Sequence, residues 1–139
     1  IADLDQILGL DHEWATILVG VGRLGRAIIG YPGFTPEGFE IVAAFDSDPQ
    51  QVASKLGNIY VQAIDEIAMT LKEKNIDIGV VAVPSIQAQA VIDLLVEHGI
   101  KGILNYAPVA PVVPKHVIMR NIDPVLSLQS MTFYMKDFR

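Results

Sequence analysis

Ala15-Thr16-Ile17-Leu18-Val19-Gly20-Val21-Gly22-Arg23-Leu24-Gly25 opens as a β-rich apolar run and closes as G-x-G-x-x-G. The apolar residues Leu24, Ala27, Ile28 and Ile29 then recur at helical spacing. A strand, a tight glycine turn and a helix start are the context that a dinucleotide-binding fingerprint requires. Each glycine has its own task in such a turn. Gly20 permits the tight reversal, Gly22 lets a pyrophosphate approach the main chain, and Gly25 lets the helix lie close to the strand. Val21, Arg23 and Leu24 complete the turn, and the helix start offers free N–H groups and the positive end of a dipole to phosphates.

The next apolar run, Phe39 to Phe45, ends in Asp46, 21 residues beyond Gly25. A βαβ unit places there the acid that accepts hydrogen bonds from an adenosine ribose. The same charge repels a 2′-phosphate, which favours NAD(H) over NADP(H). Asp46-Ser47-Asp48-Pro49 also suits a helix start, so Asp46 alone reads equally as a turn cap.

Outward from this unit, strands and helices alternate. Ile1 to Leu10 carries apolar residues at helical spacing and reads as a short helix leading into the first strand, Ala15 to Val19. Tyr31 to Gly38 is a Pro/Gly loop, and Pro49 to Leu56 reads as a short helix. Asn58 to Tyr60 is a brief third strand, Ile64 to Lys74 an amphipathic helix, and Ile76 to Val83 a buried strand stopped by Pro84. Ser85 to His98 is a long helix with Ser85 as its cap and Gly99 as its stop. Ile100 to Leu104 and Val117 to Ile122 are the last strands. The expected fold is α/β, a Rossmann-type doubly wound parallel sheet with right-handed crossovers.

The final stretch, Pro124 to Arg139, places Val125, Leu128, Met131, Met135 and Phe138 on one stripe, with Leu126, Phe133 and Tyr134 away from it. Two readings stand: a helix packed on its own domain, or one shared with a second subunit.

The totals narrow the function. The chain has 139 residues, enough for one domain with a proper core. Hydrophobic residues make up 51% and charged ones 19%, with a mean hydropathy of +0.39, so part of the surface is expected in a subunit contact. No apolar run approaches the roughly 20 residues that span a bilayer, and no secretory signal pattern is visible. The absence of cysteine excludes disulfides and thiolate chemistry and is compatible with a cytoplasmic protein. A net charge of −6 and a pI of about 4.8 make the chain a poor DNA binder as it stands.

Catalytic groups are not in evidence. A dehydrogenase needs a proton carrier beside the hydride. His12 falls in a loop before the first strand, His98 at a helix C-terminus where carbonyls await it, and His116 in a surface loop. No metal-ligand spacing exists. Residues at the carboxyl ends of the strands are the natural neighbours of a nucleotide. Val83 and Pro84 suit an apolar wall beside a nicotinamide, with Pro84 equally a plain strand stop. Asn105 and Asp123 suit a carboxamide or a cation, or simply a turn.

Ile17 to Ala27, Tyr31-Pro32-Gly33-Phe34, Ala44 to Pro49, Ala82-Val83-Pro84, Gly99 to Val109, Val113-Pro114 and Arg120 to Asp123 together resemble the Rex family of redox-sensing transcriptional repressors. The resemblance runs in order from about Ile7 to the C-terminus, and Gly99 to Val109 is its most specific motif. It implies a linker helix over residues 1–14 from a preceding winged-helix DNA-binding domain, a Rossmann NAD(H)-binding domain over 15–123, and a dimerisation helix over 124–139. It further implies that Gly20 to Gly25 hold the pyrophosphate, that Asp46 holds the adenosine ribose, and that Val83, Pro84, Asn105, Tyr106, Ala107 and Pro108 border the nicotinamide. Asp123 is similar to a family acid near the dimer interface. The implied protein is a cytoplasmic homodimer in which NADH favours a form that releases operator DNA. Tyr106 stands where the family often has Phe, and Pro124 where it has a larger apolar residue. Two other classes share parts of the pattern: a coenzyme-A-binding domain of the succinyl-CoA synthetase type, and a small NAD-dependent oxidoreductase.

Overall fold

A computed structural model describes residues 13–122 and 124–136. The helix expected over Ile1 to Leu10, His12, Asp123 and Phe138 lie outside the described residues.

Strand β1 (Trp14–Val19) is buried from Thr16 onward, as its nearly unbroken apolar sequence requires of a central strand. After the glycine turn comes helix α1 (Arg23–Ile29), which seats Gly25 and Ile28 on the sheet and leaves Leu24 exposed. Strand β2 (Phe39–Asp46) runs parallel to β1.

The next segment departs from expectation. Pro49 to Leu56 forms no helix. Asp48 starts a turn, its carbonyl accepting from the Gln51 and Val52 N–H groups, but the chain then leaves the helical path at Ala53, with φ 71°. Ala53 N–H donates to the Val61 carbonyl and Val61 N–H to the Ser54 carbonyl, so pairing with a distant strand overrides the local helix signal. The result is a hairpin, β3 (Lys55–Leu56) antiparallel to β4 (Ile59–Ala63), around Gly57-Asn58. That dipeptide is a two-residue hairpin signal, and it corrects the all-parallel expectation at one edge.

A single 3-10 turn (Ile64–Glu66) leads into α2 (Ile67–Glu73), then β5 (Ile78–Val81) and α3 (Ser85–Glu97). The cap position of α3 belongs to Pro84, with no side-chain cap bond, and Ser85 is the first helical residue rather than the cap. Gly99, at φ 98°, ends that helix as expected. Strands β6 (Gly102–Asn105) and β7 (Ile118–Asn121) are joined by a loop without a helix, and α4 (Pro124–Met135) closes the chain.

The seven strands lie in the order β3-β4-β2-β1-β5-β6-β7, parallel except for β3. This is the α/β Rossmann-type fold. One sheet face packs Ile17, Val19, Phe45 and Val81 under Ile67 of α2 and Ala88, Ile92 and Leu95 of α3. The opposite face packs Leu18, Ala44 and Val80 under Ile28 of α1, with Phe34 beside them. Beyond Phe34 no helix among the described residues covers that second face. An apolar groove of about 310 Å³ remains there, lined by Ile41, Ile78, Val80, Leu104 and Ile118. Helix α4 presents exposed apolar side chains among its described residues. Leu128, Met131, Phe133, Tyr134 and Met135 are all more than half exposed, on more than one side.

Candidate functional site

The register gathers the strand ends. Val19 pairs with Phe45 on one side and Val81 on the other, and Val81 pairs with Asn105. The carboxyl ends of β2, β1, β5 and β6 therefore stand in one row. Three strand spacings give about 14 Å. Ligands of open parallel sheets lie across such a row.

At its centre the chain reverses at Gly20. The φ of this residue is 101°, and a Cβ on it would meet the Ala82 carbonyl oxygen at 2.4 Å. Only glycine tolerates both. A Cβ on Gly25 would lie 1.9 Å from the Gly20 carbonyl oxygen, so the start of α1 touches the turn directly. Gly22 differs. Nothing lies within 4 Å of its missing Cβ, and it faces open space at the N-terminal end of α1. Two glycines thus serve the packing of the turn, and the third keeps its outer side clear.

Asp46 fastens this turn to the neighbouring strand. One carboxylate oxygen accepts from the Val21 N–H at 2.8 Å and the other from the Asp48 N–H at 2.7 Å. A carboxylate offers about four lone-pair sites, so each oxygen keeps capacity for another donor. Asp46 is half-buried, which leaves that capacity facing the cleft. The turn-cap reading and the ligand reading are both physically compatible with this arrangement.

A cleft of about 450 Å³ opens between these elements. Of the residues singled out in the sequence, Gly20, Gly22, Arg23, Leu24, Asp46, Val83 and Pro84 line it together. Ser47, Asp48, Gln51, Ala82 and Gln87 line it as well, and sequence reasoning missed them. Gln51 was assigned to a helix that does not form; its side chain instead accepts a hydrogen bond from Arg26. Gln87 sits in the first turn of α3, and only its position one turn beyond Pro84 could have flagged it.

Other expected residues do different things. Val21 is fully buried and takes part through its main chain alone. Gly25 is hidden beneath the turn. Asn105 has no exposed surface, and its carboxamide bonds only to protein, so in this arrangement it builds the site and does not meet a carboxamide or a cation. Tyr106 is half-buried against Leu18, Val80 and their neighbours, Ala107 is buried, and Pro108 is exposed on the next strand end. These three stand beside the cleft rather than in its lining.

Two of the three histidines, His98 and His116, are described and lie where expected. His98 Nδ1 lies 2.9 Å from the Leu94 carbonyl oxygen at the end of α3, and His116 is exposed in its loop. Among the described residues no cluster of His, Cys, Asp or Glu could hold a metal ion. None of their helices is long and apolar enough to cross a membrane.

A glycine turn, an acid at the tip of the second strand and a cleft across the strand ends define a domain of the Rossmann class. The chain belongs to the CoA binding domain family, whose model matches residues 11–109. Within that class it is similar to the Rex repressors, and the resemblance read from the sequence holds along nearly its whole length. The redox-sensing transcriptional repressor Rex of Chloroflexus aurantiacus is 50% identical over 132 residues, covering 95% of this chain and 62% of that protein. The chain thus spans about three fifths of the length of that relative. Two solved structures superimpose closely. RSP, a Rex-family repressor, in complex with β-NADH matches with a TM-score of 0.86 at 34% identity, over 98% of this chain and 66% of that one. The complex of RSP with β-NAD⁺ and operator DNA matches with a TM-score of 0.90 at the same 34% identity, over 98% and 63%.

Proposed function

We propose that this chain is the NAD(H)-reading and dimerisation domain of a cytoplasmic, redox-sensing transcriptional repressor, and that it performs no catalysis. The observation that carries the reading is Asp46, held against the Gly20–Gly25 turn at the edge of the cleft with lone pairs to spare. The structures of RSP with β-NADH and with β-NAD⁺ and operator DNA support the same cofactor and the same kind of partner here.

In this reading the pyrophosphate lies over Gly22 and the first N–H groups of α1, and the adenosine ribose bonds to Asp46. The nicotinamide extends past Val83 and Pro84 toward the Tyr106–Pro108 loop. Reduced nicotinamide is neutral and suits an apolar wall, whereas the oxidised ring brings a charge whose unpaired burial is costly. That difference is what a redox sensor needs. Moving a two-state equilibrium from 1:99 to 99:1 takes about 5.5 kcal/mol of differential binding.

The second copy is the other half of the device. Residues 15–123 form the nucleotide domain, residues 124–139 serve the dimer with Asp123 at its base, and residues 1–14 link to a winged-helix domain that reads the operator. The exposed apolar side chains of α4 support this division, since an unpartnered helix of that kind requires cover.

Calorimetric titration of the chain with NADH, NAD⁺, NADPH and coenzyme A tests the proposal. Tight NADH binding, weaker NAD⁺ and little NADPH are expected. The family name favours a second reading, a coenzyme-A site; uptake of coenzyme A alone would establish it and remove the role given to Asp46.

A further inference from the structure

The far end of the cleft is built on one side chain that the binding scheme does not use. Asn105, at the tip of β6, is completely buried. Its amide nitrogen donates to the Ala107 carbonyl at 3.1 Å, the Val109 carbonyl at 3.2 Å and Asn121 Oδ1 at 2.9 Å. Its side-chain oxygen accepts from the Ala107 N–H at 3.1 Å. The main-chain carbonyl of the same residue accepts from the Ile122 N–H at 2.7 Å. One residue therefore folds the Ala107–Val109 segment back on itself and ties it to the end of β7, three residues before α4 begins. A loop that carries no helix of its own has few other means of holding a shape.

The loop is also joined to the opposite wall. Tyr106 N–H donates to the Val81 carbonyl at 2.8 Å, one strand over, where Ala82, Val83 and Pro84 enter the cleft. Displacing the loop would shift the end of the cleft farthest from Asp46 and leave the glycine turn where it is.

We propose that Asn105, acting with Asn121, is a positioning residue for the nicotinamide end of the site: it sets the loop wall on which discrimination by the ring depends, and it touches no part of the ligand. The proposal rests on the NAD(H) reading above. It separates the two ends of the ligand, because the adenosine and pyrophosphate lie on elements that Asn105 does not contact.

The test compares NADH with ADP-ribose, which keeps everything except the nicotinamide. Asn105→Asp preserves volume and the acceptor for Ala107 N–H but removes the donor to three oxygens. NADH affinity should fall about tenfold, the scale of losing the hydrogen bonds that hold the loop, while ADP-ribose binding stays within about twofold. Asn121→Ala, on an exposed residue, removes a single acceptor and should give a smaller loss of about threefold with the same selectivity, which keeps the test open if the first variant does not fold. Equal weakening of both ligands shows a general loss of fold and overturns the proposal. So does unchanged NADH binding in both variants. If the unsubstituted chain binds neither NADH nor ADP-ribose, the nucleotide reading itself fails, an outcome distinct from either of these.

Discussion

The two ends of the cleft are fastened by chemically similar side chains that do opposite jobs. At the β1–β2 end, Asp46 ties down the glycine turn with one bond to each oxygen and remains half-open to solvent. At the β5–β6 end, Asn105 ties down a loop with its whole carboxamide and is sealed from solvent. The first can hold structure and ligand together; the second is sealed away from any ligand by burial. An acceptor-only group at a rim keeps lone pairs available, whereas a buried amide must satisfy donors and acceptor within the protein. A polar residue at a strand end is thus a binding group or a building group according to its exposure, which its identity does not reveal.

The contrast can be broken most severely at the turn. Gly25→Ala places a methyl group against the Gly20 carbonyl at an impossible distance, so α1 must move away from the sheet. A loss of about 3 kcal/mol or more is expected by urea unfolding, on the scale of overpacked cores. Asp46→Ala should then show the double role of the acid. NADH affinity falls about tenfold as charge-assisted bonds to the ribose are lost, and the preference over NADPH largely disappears in parallel titrations. A selective loss of NADPH discrimination with no stability change would show that the bond to Val21 matters little.

Gly22→Ala sharpens the distinction between structural and ligand-facing glycines. With nothing within 4 Å of the added carbon, the thermal midpoint should stay within about 2 °C. NADH binding should still drop about tenfold, because the methyl group stands where a pyrophosphate must approach. The smallest effect is expected at Gln89. Its carboxamide accepts from the Val112 N–H at 2.8 Å and donates to the Val112 carbonyl at 2.9 Å, clipping the β6–β7 loop to α3. Gln89→Leu on this exposed site should cost about 1 kcal/mol in denaturant unfolding, and a loss of NADH affinity beyond threefold would show that the clip also shapes the nicotinamide end.

Legibility along the chain follows the range of the interactions. The glycine turn, Asp46, Pro84 and the stop at Gly99 were readable because each reflects a local backbone demand or a fixed offset. The helix expected over Pro49–Leu56 does not form because its signal is local, while the pairing of Ala53 and Ser54 with Val61 that displaces it is not. The same reason hid Gln51 from the cleft. Ser85 looked like a cap because serine is a good one, yet Pro84 already occupies the extended residue before the helix.

The sequence by itself determined the class of fold, the place of the glycine turn and the acid at the second strand tip, since these depend on glycine sterics, apolar period and spacing. Only the tertiary structure decided which polar residues face the cleft. It sealed Asn105 inside, brought Gln51 and Gln87 to the rim, left one sheet face partly bare and left the described apolar side chains of α4 exposed. Those outcomes depend on which strands become neighbours and what covers them, and contacts between residues far apart in the chain set both.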